Sequence, residues 1–253
     1  MIDAQPHSGH VSLLNLEIHP HENPDWPVVR ILVDGADPFE TVAPGWRGFD
    51  PDDILGPRSP LLPGTEDRRV AVYRCSCGEA GCGVIAPIIT PTADENYILW
   101  CDFRNYAGEF FHPLPTNPDP DLTGLGRRWN LPDLRFDACQ YVAEIARSSQ
   151  DRSWETPRRQ TARLLRDQLM PLRLSMSLDM PLRGVVPAWE GEGIVLQFGR
   201  EYDDGLLDQH ELRLTSTHAH PAHAALDMTD QLLSTPQKEW HHRFADENPS
   251  ESD

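Results

Sequence analysis

The chain has 253 residues, with 40 acidic against 22 basic side chains and a formal net charge of −18. That length can bury a full hydrophobic core, while a charge of this sign repels phosphate backbones and anionic lipid, so nucleic-acid and membrane-surface binding are not expected. No apolar run approaches the ~20 residues of a bilayer span, MIDAQPHSGH lacks a secretory signal's basic and apolar regions, and five cysteines, an odd number, then point to reduced thiols in the cytoplasm.

Two apolar runs, 11–18 and 28–34, have strand length and branched residues between Pro, Asn or Gly. Residues 35–68 are rich in Pro, Gly and Asp and read as a long covering loop, held down by Phe39, Trp46, Phe49, Ile54, Leu61 and Leu62. Three strand-like runs follow at 69–74, 84–90 and 97–103, joined by short turn-rich links as in an antiparallel meander. After a Pro-rich loop at 112–121 come two helices. The first has Asp137 as N-cap with Gln140 three residues on, and an apolar stripe of Ala138, Tyr141, Val142 and Ile145. The second starts at Thr156-Pro157 and stops near Leu169, before Pro171.

Leu172, Leu174, Met176, Leu178 and Met180 alternate with other residues, which predicts a half-buried strand. Runs at 193–199 and 211–215 extend the sheet, a helix is expected over 221–233, and a short one from Pro236 places Trp240 and Phe244 on one face. The polar tail 246–253 reads as disordered. Strands in groups, with helices in the middle and at the C-terminus, predict an α+β fold with mainly antiparallel sheet. One domain over 1–245 is expected. Residues 127–183 hold 11 Arg against 7 acidic groups, a net +4 that leaves −22 elsewhere; the basic helical stretch from Arg135 to Leu169 is expected to face the chain's own acidic surface, with an acidic partner as the alternative.

The chemistry concentrates in R-C-S-C-G-E-A-G-C, which puts Cys75, Cys77 and Cys82 within eight residues at the tip of two predicted strands. Cys75 and Cys77 are two apart, so an extended chain points them to one face, and Gly78 and Gly81 suit a tight reversal. Three thiolates converging this way match zinc's taste for sulfur in tetrahedral sites. Three readings stand side by side: a structural zinc site, a compact packing tip, and thiol redox or metal sensing, with Arg74 beside Cys75 as a possible activator. A fourth ligand is not evident. A turn at 91–95 puts Cys101 opposite about residue 85, too far from Cys82, which leaves Asp102, His112 and the trio His218, His220 and His223.

The remaining candidates read more simply as structure. His218, His220 and His223 are expected to be surface residues at a helix start, and His241 and His242 exposed helical residues. Asp102 and Arg104 are expected to form an exposed ion pair. Asp50, Asp52 and Asp53 lack the Gly and Glu of a calcium loop and read as a turn and helix cap. No catalytic signature is present: no phosphate-binding loop, no G-x-G-x-x-G after a strand and no G-x-S-x-G elbow.

The strings V-D-G at 33–35, G-F-D-P at 48–51, R-C-S-C-G-E-A-G-C at 74–82, W-C-D-F-R at 100–104 and F-D-A-C-Q-Y at 136–141 resemble a group of actinobacterial proteins with no assigned function. The similarity spans most of residues 30–145, and the cysteine segment is its distinctive part. In that group a residue other than cysteine usually stands where Cys101 does, so the resemblance implies a shared chemistry on Cys75, Cys77 and Cys82. It implies a bacterial, cytoplasmic setting and no activity. Together these readings predict a non-enzymatic interaction or regulatory protein with a three-cysteine tip suited to zinc and an acidic surface suited to a basic protein partner. A metal-assisted hydrolase without a recognisable motif and a thiol redox or metal sensor are the alternatives.

Overall fold

The computed structural model describes the chain apart from residues 1–8, 21, 57, 65, 78–81, 107–113, 117–125, 178–179, 202–206 and 246–253. The fold is α+β with antiparallel sheets. Instead of the single core expected over 1–245, the chain forms two compact units, Met1–His21 with Pro27–Trp154, and Glu22–Trp26 with Glu155–Asp253. The first unit holds a two-stranded and a seven-stranded sheet and the second a three-stranded sheet, each unit with its own helices and its own apolar cluster.

In the first unit, β1 (Leu14–His19) and β2 (Val28–Val33) form a hairpin whose partners Leu14 and Val33, and Leu16 and Ile31, point into the core. The loop that follows contains β3 (Arg47–Gly48) and α1 (Pro51–Ile54), with Asp50 as N-cap accepting from the Asp52 amide. Gly48 is required there, because a Cβ would lie 1.7 Å from the Val29 carbonyl oxygen. Phe39, Phe49, Ile54 and Leu61 are buried, and Trp46 and Leu62 pack against them, as the apolar spacing of the loop predicts.

The run at 69–74 divides into β4 (Arg68–Arg69) and β5 (Tyr73–Arg74), both antiparallel to β6 (Val84–Pro91). β7 (Tyr97–Tyr106) lies on the other side of β6, and β8 (Arg127–Arg128) and β9 (Leu134–Asp137) pair with β7. Asp137 then caps α2 (Ala138–Gln150) by accepting from the Gln140 amide.

α2 sits on the core with a different face from the apolar stripe. Tyr141 and Ile145 are buried, but so are Glu144 and Ser148, while Val142 stays exposed. The reason is the open edge of β1, whose unpaired backbone groups need partners. Gln140 donates to the Leu14 carbonyl at 2.7 Å and accepts from its amide at 3.3 Å; Glu144 accepts from the Leu16 amide at 2.7 Å, and Arg147 donates to the Leu16 carbonyl at 2.8 Å. Polar side chains one helical turn apart thus close the strand edge as another strand would. Burial works against the charge on Glu144, but Arg147 and the Leu16 amide hold its carboxyl below the ordinary value.

The second unit begins with Asp25, which accepts from Arg158 Nε at 2.6 Å and from the Thr156 hydroxyl. Thr156 caps α3 (Pro157–Leu169), whose Leu165 and Leu169 are buried. No strand forms over 172–180 among the described residues. A 3-10 turn occupies Met170–Leu172, Arg173 has φ +50, and the strand β10 is Leu182–Pro187. Leu174 and Met176 still pack inward, and Leu174 accepts from the Leu182 amide at 2.8 Å, so the apolar residues anchor a loop with Pro171 and Pro181 at its ends. β10, β11 (Ile194–Glu201) and β12 (Leu207–Leu214) form an antiparallel sheet. α4 (Pro221–Ser234) and α5 (Trp240–Phe244) contribute Met228, Leu232, Trp240 and Phe244 to its core.

Candidate metal centre

The three cysteines converge. β5 and β6 meet in antiparallel register, Arg74 opposite Val84, and the Cys75 amide donates to the Gly83 carbonyl at 3.1 Å, which closes the hairpin just before its tip. Beyond that bond Ser76 and Cys77 turn, and Cys82 re-enters just before β6. The sulfurs of Cys75, Cys77 and Cys82 all lie within 4.8 Å of one another. Three thiolates bound to one ion at ~2.3 Å would stand about 3.8 Å apart, so the spacing accommodates a metal with little movement. The expected glycines, Gly78 and Gly81, lie outside the described residues.

Cys77 and Cys82 are exposed and Cys75 is half-buried. Hydrogen bonding to Cys77 and then Cys75 pushes the Cys82 thiol up to about 11, the behaviour of sulfurs close enough to share a proton. A cation would reverse that preference, because a bound metal ion stabilises thiolate strongly. Arg47, opposite Arg74 on β3, donates to the Ser76 carbonyl between the first two cysteines. Arg74 stacks its guanidinium 5.7 Å from the centre of the Phe49 ring.

Cys101 stands outside the cluster. The turn closes with Thr92 receiving and donating to Tyr97, three residues later than the register expected, so Cys101 faces Ile88 across a bulge at 86–88. Burial, then Asp133, Asp102 and Asp67, push its thiol up to about 11. Among the described residues, Cys75, Cys77 and Cys82 form the one group of three or more ligand side chains drawn this close together. His112 lies outside the described residues. His218, His220 and His223 belong to the second unit, where they are exposed, with ring centres 6.1 Å apart for His218 and His223 and 5.0 Å for His220 and His223. His220 serves as the N-cap of α4 through Nδ1, and His241 and His242 are exposed on α5.

Asp102, on β7 of the same sheet, is a second convergence of polar groups, and it corrects the exposed pair with Arg104. Its carboxylate is buried and accepts from Arg69 at 2.6 Å, Arg104 at 2.7 Å and Arg128 at 2.7 Å. Arg69 is fully buried and also donates to the carbonyls of Ala86, Asp102, Pro115 and Thr116. The β6 bulge and the left-handed φ of +48 at Asp102 turn its side chain inward to meet them. Burial opposes ionisation, yet the three arginines outweigh it and bring the carboxyl down to about 2. Arg69 and Arg128 carry no signal in the sequence, since strand pairing alone brings them to Asp102.

No protein-family model matches this chain, and neither a curated protein nor a solved structure matches it. No described helix is long and apolar enough to cross a membrane.

Proposed function

We propose that Cys75, Cys77 and Cys82 bind one thiophilic divalent ion, zinc, and that the protein acts through contacts made around this metal-stapled tip rather than by catalysis. The observation that carries the reading is the mutual approach of the three sulfurs within 4.8 Å. Its support is chemical: three thiols at this spacing repel one another once ionised, and a cation at their centre relieves that repulsion. The surplus of acidic groups in a chain of net charge −18 favours a basic protein as the partner. Elemental analysis of protein purified without tag or chelator tests the metal. One zinc per chain is expected, lost in Cys77→Ser, and zinc at 100 to 1,000 times its dissociation constant stabilises the wild type by about 2.7 to 4.1 kcal/mol over the apo form. Metal-free protein that takes up no zinc refutes the reading.

Exposure of Cys77 and Cys82 favours a second reading, a thiol redox sensor, in which peroxide drives a disulfide within the tip. Loss of two titratable thiols at low peroxide, reversed by reductant, would select it.

A further inference from the structure

We propose that His218, His220 and His223 form a second metal site, which takes an imidazole-seeking divalent ion such as nickel. The inference does not rest on the cysteine tip, because the histidines belong to the second unit and the cysteines to the first. All three histidines are exposed, and the ring of His223 neighbours both others, its centre 5.0 Å from that of His220 and 6.1 Å from that of His218. Two imidazoles on one ion, each bonded at about 2.1 Å, have ring centres about 4.5 to 5.2 Å apart. His220 and His223 already meet that spacing. The three sets of nitrogens are not held together as the sulfurs of the tip are, so binding draws His218 in by about 1 Å through rotation of an exposed side chain.

The chain keeps this cluster together from both sides. Pro221 opens α4 with His220 as its N-cap, and His223 follows three residues later on the same helix face. Buried Ala224 and Ala225 turn the neighbouring face to the core, which leaves His223 in solvent. The segment that carries His218 is tied back to α4. The Ser216 hydroxyl accepts from the His218 amide at 3.2 Å and donates to Asp227 at 2.6 Å, and Gln231 donates to the Thr215 carbonyl at 3.1 Å. Asp227 lies one turn beyond His223, and its partners Ser216 and Gln231 are neutral, so its charge is available to offset a cation.

The positive end of α4 opposes a cation here, whereas the Asp227 carboxylate and the net charge of −18 favour it. Imidazole suits nickel, copper and zinc, and nickel binds such donors more tightly than the lighter divalent ions do. The step is a ligand exchange in which no electrons move. In the free protein His220 Nδ1 accepts from the Ala222 amide at 3.3 Å, so the neutral ring carries its proton on Nε2. On binding, that proton passes through solvent to Nδ1, the long capping bond is given up, and Nε2 replaces a water on the ion.

The test titrates the full chain, its accessible thiols blocked with iodoacetamide, with Ni(II). One nickel per chain is expected, with paramagnetic broadening of amide signals over residues 216–228 and none at the cysteine tip. His223→Gln should weaken nickel about tenfold or more. His220→Asn should weaken it as much, although asparagine keeps α4 capped, which separates a ligand from a cap. His241→Gln should leave nickel binding unchanged, even though the rings of His210 and His241 also lie 6.0 Å apart. No nickel bound, broadening centred on His210 and His241, or equal affinity in the wild type and His223→Gln overturns the site. Unchanged affinity in His220→Asn overturns the three-ring arrangement. Zinc uptake by the unblocked cysteines is read separately, so neither site's failure decides the other's.

Discussion

The two polar convergences of the first unit's larger sheet, at the β5–β6 tip and at Asp102 on β7, solve one problem in opposite ways. At Asp102 the chain supplies every partner: three guanidiniums on one carboxylate, and carbonyls for the rest of Arg69. At the cysteine tip three like groups face one another, and the partner that would reconcile them is a cation from outside. Buried charge that is fully answered within the chain reads as architecture. Three like groups drawn within 4.8 Å of one another are what we propose as a site. Perturbed ionisation by itself does not separate the two, since both Asp102 and Cys82 are displaced from their ordinary values.

The sharpest way to break this contrast is to remove the carboxylate. Asp102→Asn leaves Arg69 buried without its counter-charge, and a loss of about 3–5 kcal/mol is expected in urea unfolding. Cys77→Ser in metal-free protein should leave the urea midpoint unchanged, because Cys77 is exposed. Equal losses in the two variants would make the tip part of the architecture.

A smaller effect concerns acid. The Asp102 carboxyl is held at about 2, below its ordinary 3.8, so its contribution to stability is complete above about pH 4 and is lost as pH falls towards 2. Unfolding midpoints measured across that interval should fall less in Asp102→Asn than in the wild type. A parallel fall in both would remove Asp102 from the acid response.

The smallest effect separates thiols without changing stability. In the native metal-free protein Cys77 and Cys82 should react with a maleimide, and Cys101, half-buried with its thiol pushed up to about 11, should react only on unfolding. Zinc should protect Cys75, Cys77 and Cys82 and leave the exposed Cys139 open to labelling. Mass spectrometry of labelled peptides reads both results, and zinc that protects none of Cys75, Cys77 and Cys82 sinks the contrast.

Much of the local structure was legible in the chain. Asp137 and Thr156 cap their helices because a short polar side chain before an amphipathic run satisfies a free amide, a requirement that is local. The branched runs pair as strands, and Cys75, Cys77 and Cys82 meet because they fall within eight residues of one hairpin tip. What the tertiary structure alone decided depends on distant partners. Glu144 turns inward, and Val142 outward, because the edge of β1 needs hydrogen bonds that the helix pattern cannot foresee. Leu174, Met176 and Met180 anchor a loop, because alternation records burial and not a hydrogen-bonded neighbour. The shifted register of β6 and β7 moves Cys101 away from the tip and brings Arg69 and Arg128 to Asp102. Spacing along the chain sets which groups are near when few bonds separate them. Pairing between strands sets the rest, because a shift of a few residues re-aims every side chain on the sheet.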